Sequence, residues 1–125
     1  MDFNKDTVLI IYKGNSRSDK EGYGYASALK PHVHDIDVTK EPLTSTQIKE
    51  IADKLGVDVE ALVDKESDIY KEEYTGMSFD ASNWLNILSQ KPGLLRTPII
   101  FDGENGHIFE SGRDVIKYGT TQKGM

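Results

Sequence analysis

Six residues near the start of the chain, TVLIIY (Thr7 to Tyr12), are continuously apolar and rich in β-branched side chains. A strand buried on both faces of its sheet reads this way. A small-residue loop follows, Lys13 to Arg17. Ser18 and Glu21 then stand in the S-x-x-E relation of a capping box, which predicts a helix from Asp19. Tyr25, Ala26, Ala28 and Leu29 would face the core, and Lys30–Pro31 would stop the helix. Gly22 and Gly24 each weaken it by about 1 kcal/mol relative to Ala, so either a neighbour packs closely against them or the helix begins later. HVHDIDV (His32 to Val38) alternates and reads as a second strand. The result is a βαβ unit.

The middle of the chain is helical. Thr44 and Gln47 form a second capping box, Ile48, Ile51, Ala52 and Leu55 recur at helical spacing, and Gly56 supplies the stop. Asp58 is expected to cap a short helix with Val59, Leu62 and Val63. Tyr70 and Tyr74 stand four apart. Asp80 caps a helix whose Trp84, Leu85 and Leu88 share a face, ended by Lys91–Pro92–Gly93. Strands return with PIIF (Pro98 to Phe101) and HIFE (His107 to Glu110), joined by the loop DGENG as a hairpin. Ser111 is expected to cap a last helix through Val115, Ile116 and Tyr118, stopped by Gly119. The fold class is therefore α/β, in the order β-α-β, helical segment, β-β-α. The expectation is one domain over 1–119, a helical insertion at about 41–93 and a frayed tail at 120–125.

Composition removes whole classes of chemistry. The chain has no cysteine among its 125 residues, so disulfides, thiolate metal sites and thiol catalysis are excluded. Its net charge of −6 argues against direct nucleic-acid binding, which draws on clustered Lys and Arg. No apolar run is long enough for a membrane span, and the acidic flanks of the first strand show no signal-cleavage pattern, so a cytoplasmic setting is expected.

The element order, with IIYKGNSRSDK, IADKLGVDVEALVDKESDIYKE and above all KPGLLRTPIIFDG, resembles the arsenate reductase branch of the thioredoxin fold, which includes the Spx regulators and glutaredoxin-like relatives. The resemblance covers Thr7 to Gly119. It implies a mixed sheet of thioredoxin type and a cis peptide before Pro98. It also implies a nucleophilic cysteine in the first loop, in a Cys-x-x-Ser/Cys-Arg/Lys pattern. The register that keeps the basic residue at Lys20 puts Ser16 at the nucleophile and Asp19 at the resolving position. A serine hydroxyl is scarcely ionised near neutrality and has no sulfenate or disulfide state. The family's oxyanion-holding arginines fall at Asp64, at Thr97 with Arg96 beside it, and at Glu110 with Arg113 three residues on; two of the three matches reverse the charge. These matches imply a relative that has lost the reductase chemistry.

Other candidates have plainer readings beside them. Gly14 to Lys20 could cradle an anion at a helix N-terminus or be a capped helix with solvated cations; it lacks the P-loop pattern. His32 and His34 share a strand face, with Asp35, Asp37 and His107 elsewhere, yet no third ligand is evident, and no metal or other cofactor is expected. The acidic run Asp64, Glu66, Asp68, Glu72 and Glu73 reads as a wet helix face. Tyr23, Tyr25, Tyr70, Tyr74 and Trp84 read as core aromatics.

Three functions compete. The first is a non-catalytic binding or regulatory protein. By resemblance, an extended peptide of a protein partner would lie along the first loop and the strand entered by the proline, a groove of Tyr12, Gly14, Asn15, Ser16, Arg17, Arg96, Thr97 and Pro98. Spx-like regulators make the transcription machinery a narrower version of that partner. The second is a glutathione- or oxyanion-binding enzyme using Ser16 or Tyr12. The third is a half-site completed by a partner's cysteine or arginine.

Overall fold

The structure is a computed structural model, and it describes residues 5–103 and 105–115. The chain divides into two compact units, Met1–Glu41 with Thr97–Met125, and Pro42–Arg96.

The first unit is built on a four-stranded mixed sheet. Strands β1 (Thr7–Tyr12), β2 (His32–Asp37), β3 (Ile99–Asp102) and β4 (Asn105–Ile108) stand in the order β2-β1-β3-β4. β1 and β2 are parallel; β1–β3 and β3–β4 are antiparallel. β1 is central, and Val8, Leu9, Ile10 and Ile11 are all buried, as the unbroken apolar run predicts. One face of the sheet carries a cluster of Val8, Ile10, Ile100, Ala26, Phe109 and Val115, with Tyr12, Tyr23, Tyr25 and Leu29 packed against it. β2 is an edge strand, exposed from His32 through Asp35. The Thr97–Pro98 peptide leading into β3 is cis.

Helix α1 spans Arg17–Ala26, which corrects two expectations. The N-cap is Ser16, not Ser18: the Asp19 N–H donates to Ser16 Oγ at 3.1 Å. Ser18 instead accepts from the Gly112 N–H at 2.8 Å. The helix stops at Ala26, before Ala28 and Leu29, although Leu29 still packs on the cluster. Gly22 has the close neighbour its position suggested, Gly112 with Val115, whereas Gly24 faces open space. The hairpin is also tighter than DGENG implies. Asp102 pairs with Asn105, so Asn105 and Gly106 belong to β4, and Gly103 enters the turn at φ 69°. After β4 the chain turns helical at 112–115, with Ser111 Oγ accepting from the Asp114 N–H at 3.4 Å. Ile116, Tyr118, Gly119 and the tail lie outside the described residues.

The second unit holds α2 (Ser45–Leu55), α3 (Asp68–Glu73) and α4 (Ala81–Gln90), with 3₁₀ turns at Val59–Leu62 and Pro92–Leu94. Both bonds of the Thr44–Gln47 capping box form, at 3.1 and 3.0 Å, and Gly56 closes α2 at φ 72°. Asp80 caps α4 through the Asn83 N–H at 2.8 Å. Asp58 makes no side-chain cap bond, and its helix is a single 3₁₀ turn. Among the described residues no helix is long and apolar enough to cross a membrane.

Candidate functional site

The first loop leaves β1 at Tyr12 and enters α1 at Arg17, and three local devices fix its shape. Ser16 caps the helix, and its own N–H donates to the Lys13 carbonyl at 3.0 Å. Asp19, only 4% exposed, accepts the Lys13 N–H at 2.8 Å. Its carboxylate thus occupies the first turn of α1, where the helix dipole favours a negative charge. Asp37, at the end of β2, accepts the Gly14 N–H at 2.9 Å, the Thr39 N–H at 3.0 Å and the Thr39 hydroxyl at 2.6 Å. Gly14 is required for this approach, because a Cβ there would lie 1.9 Å from Asp37 Oδ2.

Ser16 and Asp19 are therefore both engaged in holding the loop. Asp19→Ala should cost about 1–3 kcal/mol, since it removes a buried acceptor. Asp19→Asn keeps an oxygen for Lys13 and should cost less. Urea unfolding of the two variants beside the parent checks the order.

Two carboxylates, Asp35 and Asp37, bear on the tyrosines beside the loop. Burial first, then the charges of Asp35 and Asp37, raise the Tyr12 phenol above its ordinary value. The Tyr23 hydroxyl donates to Asp35, and that bond, with burial, pushes Tyr23 up to about 12. Burial pushes the Asp37 carboxyl up, but the Thr39 hydroxyl, the Gly14 and Thr39 amides and the Lys40 charge together hold it below the usual range. The two tyrosine rings stack tilted, with centroids 4.9 Å apart.

Tyr23 carries a pH prediction. A phenol whose folded pKa lies above its unfolded value keeps its proton longer in the folded state, so its stabilising contribution is complete below about pH 10 and is lost as pH rises toward about 12. Tyr23→Phe should flatten the alkaline fall of stability in that window, read from urea midpoints across the range.

β1 pairs with β3 up to Ile11↔Ile99, so the end of β1 and the cis-proline entry to β3 lie at the same end of the sheet. Tyr12, Gly14, Asn15, Ser16, Arg17, Thr97 and Pro98 all belong to this unit. Asn15, Arg17 and Lys20 are exposed, and Arg17 pairs with Glu21 at 3.7 Å. Thr97 is half-buried, and neither its N–H nor its C=O is hydrogen-bonded to any described residue. Arg96 and Asp64 fall in the helical unit. The Arg96 guanidinium donates to the Ala61 carbonyl at 3.2 Å, and Asp64 accepts the Glu66 N–H at 3.0 Å through its carboxylate. Glu110 and Arg113 are exposed beyond β4.

His32 and His34 are exposed on β2, and among the described residues no group of three or more His, Cys, Asp or Glu could hold a metal. Of the acidic run, Asp64 is half-buried and the others are exposed. Tyr74 and Trp84 pack with Phe79 in the helical unit, whereas Tyr12, Tyr23 and Tyr25 pack on the sheet. Sequence reading missed the Asp37–Gly14 clamp. Its signal was present as an Asp two residues before a Thr at a strand end, the pattern of a side chain that bonds its own backbone.

A mixed β2-β1-β3-β4 sheet, a helix-capped first loop and a cis-proline at the mouth of β3 define a protein of the thioredoxin fold. The ArsC family model matches residues 15–115, and the chain belongs to the ArsC family. Solved structures agree on the fold. The arsenate reductase from Vibrio cholerae is 17% identical, with a TM-score of 0.76 over 91% of this chain and 98% of that one. SACOL0876 from Staphylococcus aureus COL is 18% identical, with a TM-score of 0.67 over 89% and 96%. None of the curated proteins matches the sequence significantly.

Proposed function

We propose that this chain is a non-catalytic binding member of the ArsC family, taking up an extended segment of a partner protein along Thr97–Pro98 and the first loop. One observation carries the reading: Ser16 and Asp19, at the positions matched to the family's sulfurs, are both committed to closing the loop and capping α1. The Thr97 backbone supports it further: no described residue hydrogen-bonds its N–H or C=O, and an extended peptide pairs with such groups. Burial, then Asp35 and Asp37, disfavour negative charge on the Tyr12 phenol, which opposes its use as an ionised group in a glutathione- or oxyanion-binding enzyme.

The test is capture from a native lysate at gentle salt. The expected result is a stoichiometric partner whose binding falls at least about tenfold with Asn15→Trp, a substitution at an exposed side chain. Calorimetry with glutathione, arsenate and phosphate should give only heats of dilution. A saturable heat with any of the three, or a partner indifferent to Asn15→Trp, overturns the proposal.

A further inference from the structure

β2 ends the sheet on the side of β1 away from β3. It runs beside β1 in unbroken register, from Thr7↔His32 to Tyr12↔Asp37. The His32 N–H donates to the Asp6 carbonyl at 3.2 Å, and the Val38 N–H to the Tyr12 carbonyl at 2.9 Å. Successive residues of a strand direct their backbone groups to opposite sides, so His32, His34 and Ile36 serve β1 while Val33, Asp35 and Asp37 turn theirs to the open side. The Asp37 carbonyl is spent on the Lys40 and Glu41 N–H groups, at 3.0 and 2.8 Å. Nothing among the described residues hydrogen-bonds the N–H or C=O of Val33 or Asp35. Val33 is 41% exposed, and His32, His34 and Asp35 are exposed beside it. Natural edge strands are commonly blunted by Lys, Pro or a bulge, and β2 carries none of these. Its carboxylates are turned away to other partners, Asp35 to the Tyr23 hydroxyl and Asp37 to the Gly14 and Thr39 N–H groups.

We propose that β2 pairs antiparallel with β2 of a second copy, across a two-fold axis, so that two sheets become one. Register selects this occupant. An axis perpendicular to the sheet sets opposite each other only residues that share a face. Centred on His34, it places Val33 against Asp35 of the second copy and the reverse, and every N–H and C=O that these residues turn outward is paired. Centred on His32 or Val33, it brings in Pro31, which has no N–H. Centred on Asp35 or Ile36, it sets carboxylates directly opposite one another. The edge therefore complements itself in one register. The net charge of −6 on each copy opposes association, but is screened beyond about 8 Å at physiological salt. A six-residue edge buries less than a standard interface, so the dimer is a weak one. The inference is independent of the reading of the first loop, because Thr97–Pro98 enters β3, on the other side of β1.

The test is sedimentation equilibrium at about 0.15 M salt, which should show monomer and dimer in exchange, with the dimer evident by about 1 mM. Val33→Pro removes an N–H that β1 does not use, a change an edge strand tolerates, and should weaken the dimer at least about tenfold. His34→Lys sets like charges opposite each other and should weaken it about threefold or more. Asn15→Trp should dimerise as the parent does. Circular dichroism confirms the fold of each variant; if Val33→Pro is unfolded, His34→Lys, a change at an exposed side chain, decides. Because the chain has no cysteine, crosslinking reads the register directly. In His34→Cys the thiols of the two copies meet with Cα atoms about 4.5 Å apart, within disulfide range, whereas in Val33→Cys they do not face each other. Mild oxidation should give at least about fivefold more covalent dimer from His34→Cys than from Val33→Cys. A monomer at every concentration, a dimer indifferent to the folded variants, or equal crosslinking of the two cysteine variants would overturn the proposal.

Discussion

Replacing Gly112 by Ala is expected to destabilise the protein by about 3 kcal/mol or more. Gly112 sits where the chain turns helical after β4, and its N–H donates to Ser18 Oγ of α1. A Cβ at this position would lie 1.8 Å from the Ser18 carbonyl oxygen and 2.7 Å from the Gly22 nitrogen. Both are backbone atoms of a helix, so no side-chain rotation relieves the collision; either the turn or α1 must move. Gly22→Ala is the control. Its Cβ would stand 3.0 Å from Gly112 Cα and from a Val115 methyl, a tight but adjustable contact. The gain in helix propensity, about 1 kcal/mol, offsets much of that strain. Urea unfolding should therefore separate the two variants clearly, and a Gly112→Ala protein within 1 kcal/mol of the parent would contradict the close glycine–glycine packing.

Trp84→Ala should cost about 3–5 kcal/mol. Trp84 is 1% exposed and anchors the aromatic group of the helical unit. Its ring meets Phe79 edge-on at 5.0 Å and Tyr74 at 6.1 Å, and its indole N–H reaches Glu60. Trp84→Phe keeps an aromatic ring in that space and gives up only the bond to an exposed carboxylate, so less than half the loss is expected. Because Trp84 is the chain's only tryptophan, the comparison is read by far-ultraviolet circular dichroism in urea. Equal stability of the Ala and Phe variants would show that the ring does not pack as described.

These two residues also show what the sequence could reveal. Strong local signals survived folding. The unbroken apolar run of β1 is buried throughout, the Thr44–Gln47 box closes both of its bonds, Asp80 caps α4, and Gly56 takes the left-handed conformation that ends α2. Where two local signals competed, sequence alone could not choose. Ser16 with Asp19 and Ser18 with Glu21 both offer a serine three residues before an acid. The outcome was set by Gly112, ninety-four residues from Ser18, which claims the Ser18 hydroxyl. Similarly, Gly106 reads as loop, yet pairing with Phe101 draws it into β4. The site divides in the same way. The missing sulfur is visible in composition, but the role of its replacements is not. That Asp19 turns inward to the Lys13 amide, and that Asp37 holds Gly14 across the end of the sheet, depends on contacts between separate elements.

The most direct measurement is glutathione oxidation by the purified chain in the presence of arsenate, followed against a protein-free control. With Ser16 and Asp19 engaged as loop-closing groups and no cysteine in the chain, the rate should equal that of the control. Oxidation that depends on both arsenate and the protein would show that the fold still performs redox chemistry, and would contradict the account.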